Sequence, residues 1–290
     1  MKYAEAIKSH LAQYRSKKLE ITECGTWHKK EYPHILPEGR RKENVLKTIR
    51  GEFWEYAHRR ALGEKCLKDS LHQCFHHLNS SQALCFNLFY PFLLKPEWLN
   101  FLPTVLLGRN AEVVNDAEFE HIEDPNEGTN FDFFMQLRSG RRLFFECKFT
   151  EVDFGRAKDD KKHQQKLVDI YRFKLQKKVK PGALESSVFL KHYQLLRNIS
   201  HVNPENKDHL FLIFPRGNSD IVSPLVCRVG VLDDFLAEKM KSCVTVLQLE
   251  DLIKRIQGTS VMEDSVMKMH WHLFEEKYLP GSGSPSQTNP

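Results

Sequence analysis

The stretch FFECKF, residues 144–149, places a carboxylate and an ammonium two positions apart inside an apolar, aromatic run. Such a run is typical of a buried β-strand. A charged side chain is costly to remove from water unless it is paired or binds a metal ion. Glu146 and Lys148 therefore indicate a site, and the neighbouring sequence should supply its other parts.

A second aromatic stretch, NFDFFMQL at residues 130–137, predicts another strand, and the two strands predict a β-hairpin. Side chains alternate between the faces of a strand, so the register must place both apolar sets on one buried face. A three-residue loop meets this condition by pairing Leu137 with Arg141. It also puts Gly140 at the left-handed position that such a loop favours.

In this register Asp132 lies directly opposite Glu146, and the ammonium of Lys148 joins them on the same face. Adjacent carboxylates repel unless a cation lies between them, and hard oxygen ligands suit Mg²⁺ or Mn²⁺. A lysine there would orient a water or neutralise charge on a phosphate, so the pattern predicts metal-assisted phosphodiester hydrolysis. The alternative is that Glu146 and Lys148 form an ion network on a solvated sheet face. Phe134 and Phe144 lie on the same face and predict instead that it is covered.

The composition is that of a folded protein with a large core: 41% of the 290 residues are hydrophobic and 20 are Phe. A formal charge of +5 permits a polyanionic partner without demanding one. Seven scattered cysteines without a CxxC pair favour reduced thiols in a cytoplasmic protein. The charged start of the chain and the prolines that interrupt its most apolar region predict neither a signal peptide nor a membrane span.

Apolar residues spaced by three or four predict helices on both sides of the hairpin. An N-cap at residues 79–81 should begin the fourth helix, and Pro91 or Pro96 should end it. The predicted helices cover residues 4–14, 43–62, 68–78, 82–90, 187–199, 251–256 and 265–278.

Further strands are predicted at residues 118–123, 209–214 and 244–249, so strands alternate with helices after residue 117. This order predicts an α/β fold, with helices on the faces of a mixed sheet. We divide the chain into an N-terminal helical extension (1–78), an α/β domain (79–280) and a flexible tail (281–290).

The acid on one strand followed by acid-x-Lys on the next resembles the PD-(D/E)XK nuclease superfamily, which has the restriction-endonuclease-like fold. Here the motif is Asp132 with Glu146-Cys147-Lys148, and residues 79–215 are similar to a bacterial subgroup of predicted nucleases. The resemblance implies an αβββαβ core and a metal-dependent nuclease that acts on DNA. It does not distinguish endonucleolytic from exonucleolytic cleavage, and we expect an endonuclease. The proline of the family name is not beside Asp132, which follows Phe131.

Many members of the superfamily also carry a metal-supporting Glu on the first core helix, which this chain lacks between residues 82 and 94. The resemblance makes Gln82 on that helix and Glu120 on the first strand candidates for the missing ligand. The alternatives are that Gln82 caps or lines the helix start and that Glu120 is solvated.

Residues 156–180 carry ten Lys or Arg and three Asp, directly after the strand with Lys148. This stretch predicts contacts with the phosphates of double-stranded DNA, while Tyr171 and Phe173 could stack on bases. The alternative is a solvated helix, since Tyr171 also has core spacing. The proposed contacts, with two residues of the following helix, are Lys158, Lys161, Lys162, Lys166, Arg172, Lys174, Gln194 and Arg197.

Two other functions stay open at this point. The first is a non-catalytic nucleic-acid-binding or interaction module on the same fold, in which the acids serve the structure. The second is a nuclease that acts on RNA, which no feature of the sequence separates from one that acts on DNA. A homodimer is compatible with each of them.

Overall fold

The computed structural model describes residues 2–62, 65–108, 112–222 and 231–281. The helices, in chain order, are α1 (Tyr3–Lys17), α2 (Arg50–Arg59), α3 (Ser81–Leu93), α4 (Pro96–Leu99), α5 (Leu102–Leu107), α6 (Lys161–Lys166), α7 (Arg172–Leu175), α8 (Ser186–Lys191), α9 (Tyr193–His201), α10 (Ser219–Val222), α11 (Val231–Phe235), α12 (Leu249–Gln257) and α13 (Ser265–Tyr278). A π-helical segment, Leu167–Tyr171, joins α6 to α7 without a break. No helix within these ranges is both long and apolar enough to cross a bilayer.

Nine strands form two small hairpins and one larger sheet within the described ranges. The strands are β1 (Gly25–Trp27), β2 (Lys30–Tyr32), β3 (Ala61–Leu62), β4 (Lys65–Cys66), β5 (Val114–Ile122), β6 (Asn130–Leu137), β7 (Arg142–Cys147), β8 (His209–Phe214) and β9 (Val244–Gln248).

The chain divides into two compact units. Unit 1 comprises residues 1–111 and 250–290, and unit 2 comprises residues 112–249. The predicted division into segments 1–78, 79–280 and 281–290 stays a prediction, and residues 282–290 lie outside the described part of the chain.

Unit 2 contains a five-stranded mixed sheet in the order β5-β6-β7-β8-β9. The first three strands are antiparallel, because tight connections join them. The pairs β7-β8 and β8-β9 are parallel, and the crossover that parallel pairing requires carries α6 to α9 between β7 and β8. The predicted α/β class with helices against a mixed sheet is confirmed.

The hairpin has the predicted register. Phe133 pairs with Phe145 and Gln136 with Arg142. The backbone N–H of Leu137 donates to the carbonyl oxygen of Arg141 at 2.8 Å. Gly140 has φ 86°, a left-handed conformation that glycine adopts without a Cβ clash.

The sheet face that carries Glu146 is covered. Phe134 and Phe144 are buried in a cluster with Leu167, Tyr171 and Leu196 from the crossover helices. The alternative of a solvated sheet face is therefore wrong, since helices cover it. This cluster forms the hydrophobic core of unit 2 on this face of the sheet.

In unit 1, α1 contacts α13. The ring of His10 on α1 lies 2.9 Å from the carbonyl of Glu276 on α13, and Lys18 forms an ion pair with the same residue's carboxylate. Buried apolar residues of α1, including Ile7 and Leu11, form part of its core.

The fourth predicted helix begins as expected, because Ser80 accepts a hydrogen bond from the N–H of Ala83 at 3.3 Å. Pro91, however, lies inside α3 rather than at its end. A proline cannot donate to the carbonyl four residues earlier, and this carbonyl, on Asn87, instead accepts from the ring of His270 at 2.8 Å. A tertiary contact thus lets the helix continue to Leu93.

Two other helix predictions were wrong. The predicted helix at 43–62 is limited to α2, and residues 68–78 contain two 3₁₀ turns, Leu67–Ser70 and Gln73–His76. The β1-β2 hairpin, in a segment read as loop, was missed. Six cysteines are free thiols, and Cys227 lies outside the described residues.

Candidate active site

Three carboxylates occupy one row across the first three strands of the large sheet. The pairs Phe119–Phe133 and His121–Phe131 on β5 and β6 flank Glu120 and Asp132. Phe133 pairs with Phe145 on β6 and β7, and one step further the same register places Asp132 opposite Glu146. Antiparallel partners at one register position project to the same face, so this row concentrates negative charge.

Glu146 is buried, with 1% of its area exposed, and three donors surround its carboxylate. Lys148 Nζ lies 2.8 Å from Oε1, and Gln194 Nε2 donates to the same oxygen at 2.7 Å. Asn198 Nδ2 donates to Oε2 at 3.0 Å. The buried charge is therefore both ion-paired and hydrogen-bonded, as a buried carboxylate requires.

Lys148 is held as a cation. Its ammonium also donates to Gln194 Oε1 at 3.1 Å and lies 5.9 Å from the ring centre of Phe154. Burial lowers the pKa of Lys148, but the carboxylates of Glu146, Glu151 and Asp132 outweigh it and raise the pKa above its ordinary value. A lysine in this state donates hydrogen bonds and neutralises charge, and it is a poor proton acceptor.

Asp132 has the opposite balance. Asp132 as a whole is only partly buried. Desolvation of its carboxyl and repulsion from Glu146 nevertheless raise its pKa well above the ordinary 3.8. Lys148 and the backbone N–H of Cys147, which donates to Oδ2 at 2.7 Å, oppose this shift without cancelling it. Within the described residues, Oδ1 of Asp132 accepts no hydrogen bond.

Glu120 is buried rather than solvated, with 4% of its area exposed. Its carboxylate accepts a hydrogen bond from Asn130 Nδ2, and its charge contributes to the raised pKa of Asp132. Its φ of 55° is rare for a residue with a Cβ, and such strain is found more often near functional sites.

Asp132 and Glu146 offer two carboxylates, which is too few protein ligands to enclose a metal ion but enough for Mg²⁺ or Mn²⁺. In the described ranges no three His, Cys, Asp or Glu side chains are grouped to hold a metal ion. Mg²⁺ commonly binds one or two carboxylates and completes its shell with water and substrate phosphate. Asp132 and Glu146 fit this role, because a cation between them would relieve the repulsion that raises the pKa of Asp132.

Helix α9 supplies the amides because Gln194 and Asn198 are four residues apart and so lie on one face. Gln194 was predicted to contact nucleic acid, and the structure places its amide between Glu146 and Lys148. Asn198 was missed, although its spacing from Gln194 was a signal for it. The buried Oδ1 of Asn198 has no partner in the described part of the chain.

Gly155 allows Gln194 to approach. Its φ is 84°, and a Cβ built at this position would lie 2.8 Å from Gln194 Oε1. The carbonyl of Gly155 accepts a hydrogen bond from the backbone N–H of Gln194 at 3.2 Å. The loop after β7 thus sets the start of α9.

A second buried polar cluster surrounds Glu127, which the sequence did not single out. Its carboxylate accepts hydrogen bonds from the hydroxyls of Thr129 and Tyr171, and the ring of His201 lies 3.1 Å away. Burial raises the pKa of Glu127, but these hydrogen bonds outweigh it and hold the pKa well below its ordinary value. Tyr171 is fully buried, so the expectation that it stacks on bases was wrong.

The proposed basic contacts differ in how free they are. Lys166 donates to the carbonyl of Glu127 at 3.2 Å, and Lys174 lies 3.5 Å from a carboxylate oxygen of Asp124. Arg197 lies over the ring of Tyr193, 5.5 Å from its centre. The exposed members of the set are Lys158, Lys161, Lys162 and Arg172.

Gln82 lies in unit 1 and is buried, with 1% of its area exposed. Its Oε1 accepts a hydrogen bond from the backbone N–H of His72 at 2.9 Å. It thereby anchors the turn that precedes α3, which agrees with the alternative that it lines the helix start.

Comparison with known protein families places this chain in a family. A family model described as Restriction Endonuclease associating with ARP matches residues 8–279. No curated protein and no solved structure matches the chain. Because the match covers most of the chain, this protein belongs to that restriction endonuclease family.

Proposed function

We propose that the protein is a metal-dependent nuclease of the PD-(D/E)XK type that hydrolyses phosphodiester bonds of DNA as an endonuclease. The observation that carries this proposal is the buried pair of Glu146 and Lys148 in register with Asp132. The family match supports a nuclease, since the family is described as a restriction endonuclease.

Asp132 and Glu146 would hold Mg²⁺ or Mn²⁺. When bound, such an ion polarises a phosphate oxygen and lowers the pKa of a bound water. Gln194 and Asn198 fix the Glu146 carboxylate by hydrogen bonds, so its oxygens do not need to reorient when a substrate arrives.

Lys148 would act as an electrostatic group. Hydrolysis forms a bond between a water oxygen and phosphorus, breaks the scissile P–O bond and returns a proton to the leaving oxygen. Negative charge grows on the phosphate oxygens during this exchange. The raised pKa of Lys148 keeps its ammonium charged, so that it can donate to these oxygens.

Plasmid nicking in Mg²⁺, in Mn²⁺ and in EDTA tests the proposal. We expect metal-dependent nicking by the unaltered protein, and a loss of at least about 100-fold in Glu146→Ala and in Lys148→Ala. Asp159→Ala is the matched control, because it removes the acid of another acid-x-lysine pattern at an exposed position.

Circular dichroism should show that each variant is folded, so that loss of nicking is assigned to the site. DNA retardation without cleavage, unchanged in Glu146→Ala and Lys148→Ala, would contradict the nuclease proposal. That result would favour the non-catalytic binding module.

A further inference from the structure

The helix that follows the candidate active site in the chain has two different faces. Leu167, Tyr171 and Leu175 recur every four residues and are buried in the core of unit 2. We define the outer face as the exposed residues of this helix and its C-terminal end. They are Lys161, Lys162, Gln165, Val168, Asp169, Arg172, Phe173, Gln176 and Lys177.

Phe173 is the most exposed large apolar side chain among the described residues, with 77% of its area exposed. Single exposed apolar residues are common on protein surfaces, so exposure alone indicates nothing. Phe173 differs because Val168, 58% exposed, lies on the same outer face. Between these two residues the helix is π-helical, and π-helical hydrogen bonds join residues five apart, the spacing of Val168 and Phe173.

The outer face is also basic. It carries four cations and one acid, Asp169, whose two carboxylate oxygens each lie 2.8 Å from Gln165 Nε2. An aromatic ring among cations is the pattern of single-stranded nucleic-acid binding, in which bases stack on rings and phosphates meet the positive charge. Charge complementarity therefore favours a nucleic acid over an apolar protein surface.

This helix is connected to the candidate active site by direct contacts. The ring of His163 meets the ring of Tyr193 edge-on at 5.3 Å, and the hydroxyls of Tyr171 and Tyr193 are 3.4 Å apart. Tyr193 begins α9, the helix whose Gln194 donates to Glu146. These contacts are made by the inner side of the helix, and the outer face lies on the side of the same helix that is turned away from the core.

We propose that Phe173 stacks on an unpaired base of a single-stranded segment of the substrate, while Lys161, Lys162 and Arg172 contact its phosphates. The faces of paired bases are already covered by their neighbours, so stacking on a duplex would first require unstacking. An unpaired base is available without this cost. This inference rests on the proposed function and names its substrate class: nucleic acid with a single-stranded segment.

Fluorescence anisotropy in EDTA measures binding without cleavage. The probes are a labelled DNA strand of about 20 nucleotides and its blunt duplex. We expect the unaltered protein to bind the strand more tightly than the duplex. Phe173→Ala and Phe173→Leu should weaken strand binding by about 5- to 100-fold, and Phe173→Trp should preserve it.

The control is Met269→Ala, which removes a half-exposed apolar side chain of α13 and should leave both affinities unchanged. A strand containing 2-aminopurine gives a second readout, since stacking on the ring quenches its fluorescence. We expect quenching with the unaltered protein and with Phe173→Trp, and none with Phe173→Leu.

Strand binding that is unaffected by Phe173→Ala, or weakened equally on strand and duplex, would overturn the inference, as would binding of neither probe. Nicking assays separate this from the proposed function. If the unaltered protein nicks DNA in a metal-dependent way but Phe173→Ala binds the strand as tightly as it does, only the inference about Phe173 is contradicted. If strand binding depends on Phe173 but the unaltered protein cleaves no DNA with Mg²⁺ or Mn²⁺, only the nuclease proposal is contradicted.

Discussion

Lys148 Nζ lies 2.8 Å from Glu146 Oε1, and 11% and 2% of the two side chains are exposed. This pair neutralises one carboxylate of a row that also contains Glu120 and Asp132. Burial of the carboxyl and, after it, repulsion from Glu146 raise the pKa of Asp132. Carboxylates that lie close together repel one another, and a cation bound between them would remove this cost.

Replacing Asp132 with Asn should therefore stabilise the metal-free protein and abolish cleavage. Asparagine removes the charge but retains an oxygen for the N–H of Cys147. We expect a Tm in EDTA that is about 2–4 °C higher than that of the unaltered protein, corresponding to about 1 kcal/mol. Differential scanning calorimetry checks this, and Mg²⁺ should raise the Tm of the unaltered protein but not that of the variant. A lower Tm of Asp132→Asn in EDTA would contradict the prediction.

The same group predicts a pH dependence. The folded pKa of Asp132 is above its ordinary 3.8, so between these two values the folded state binds more protons than the unfolded state. The contribution of Asp132 to the free energy of unfolding therefore falls as pH rises through this window. Urea titrations in EDTA at about pH 5 and about pH 8 should show that the advantage of Asp132→Asn grows with pH. Groups such as Glu127 are common to both proteins, so their effects cancel, and an advantage that shrinks with pH would refute the assignment.

Gly155→Ala should weaken cleavage by displacing Gln194. The added Cβ would meet Gln194 Oε1 at 2.8 Å, which disturbs the amide between Glu146 and Lys148. Gly140→Ala is a matched control, because Gly140 also has a left-handed φ but no atom within 4 Å of the added Cβ.

Both glycine variants should lose about 1 kcal/mol of stability from backbone strain. Only Gly155→Ala should lower the nicking rate, by about ten-fold or more, while DNA binding in EDTA stays intact. Equal nicking rates of the two variants, at equal concentrations of folded protein, would show that Gly155 does not position Gln194.

Tyr171→Phe should cost stability and leave nucleic-acid binding unchanged. The substitution removes a buried hydroxyl that donates to the carboxylate of Glu127, and losing such a partner costs about 1–3 kcal/mol. Chemical denaturation and anisotropy together test this. A variant of normal stability that binds DNA more weakly would restore the idea that Tyr171 contacts bases.

The sequence by itself determined the hairpin and its charged row. Alternation of apolar residues over 130–137 and 142–147 allows only one parity of register, and Gly140 selects the loop length, so the position of Asp132 opposite Glu146 follows from local rules. The sequence also predicted the basic stretch at 156–180, although it did not show that Lys166 and Lys174 have partners in the fold.

Only the tertiary structure decided which polar groups surround Glu146 and Glu127. Gln194 and Asn198 reach Glu146 from α9, 48 and 52 positions along the chain. Tyr171 and His201 reach Glu127 from 44 and 74 positions away. Periodicity predicts that such residues lie on helices but not which buried carboxylate they satisfy. Packing also decided that Tyr171 is buried while Phe173 is exposed. It decided as well that α3 continues beyond Pro91, because the ring of His270 on α13 donates to the carbonyl of Asn87 that the proline leaves without its helical donor.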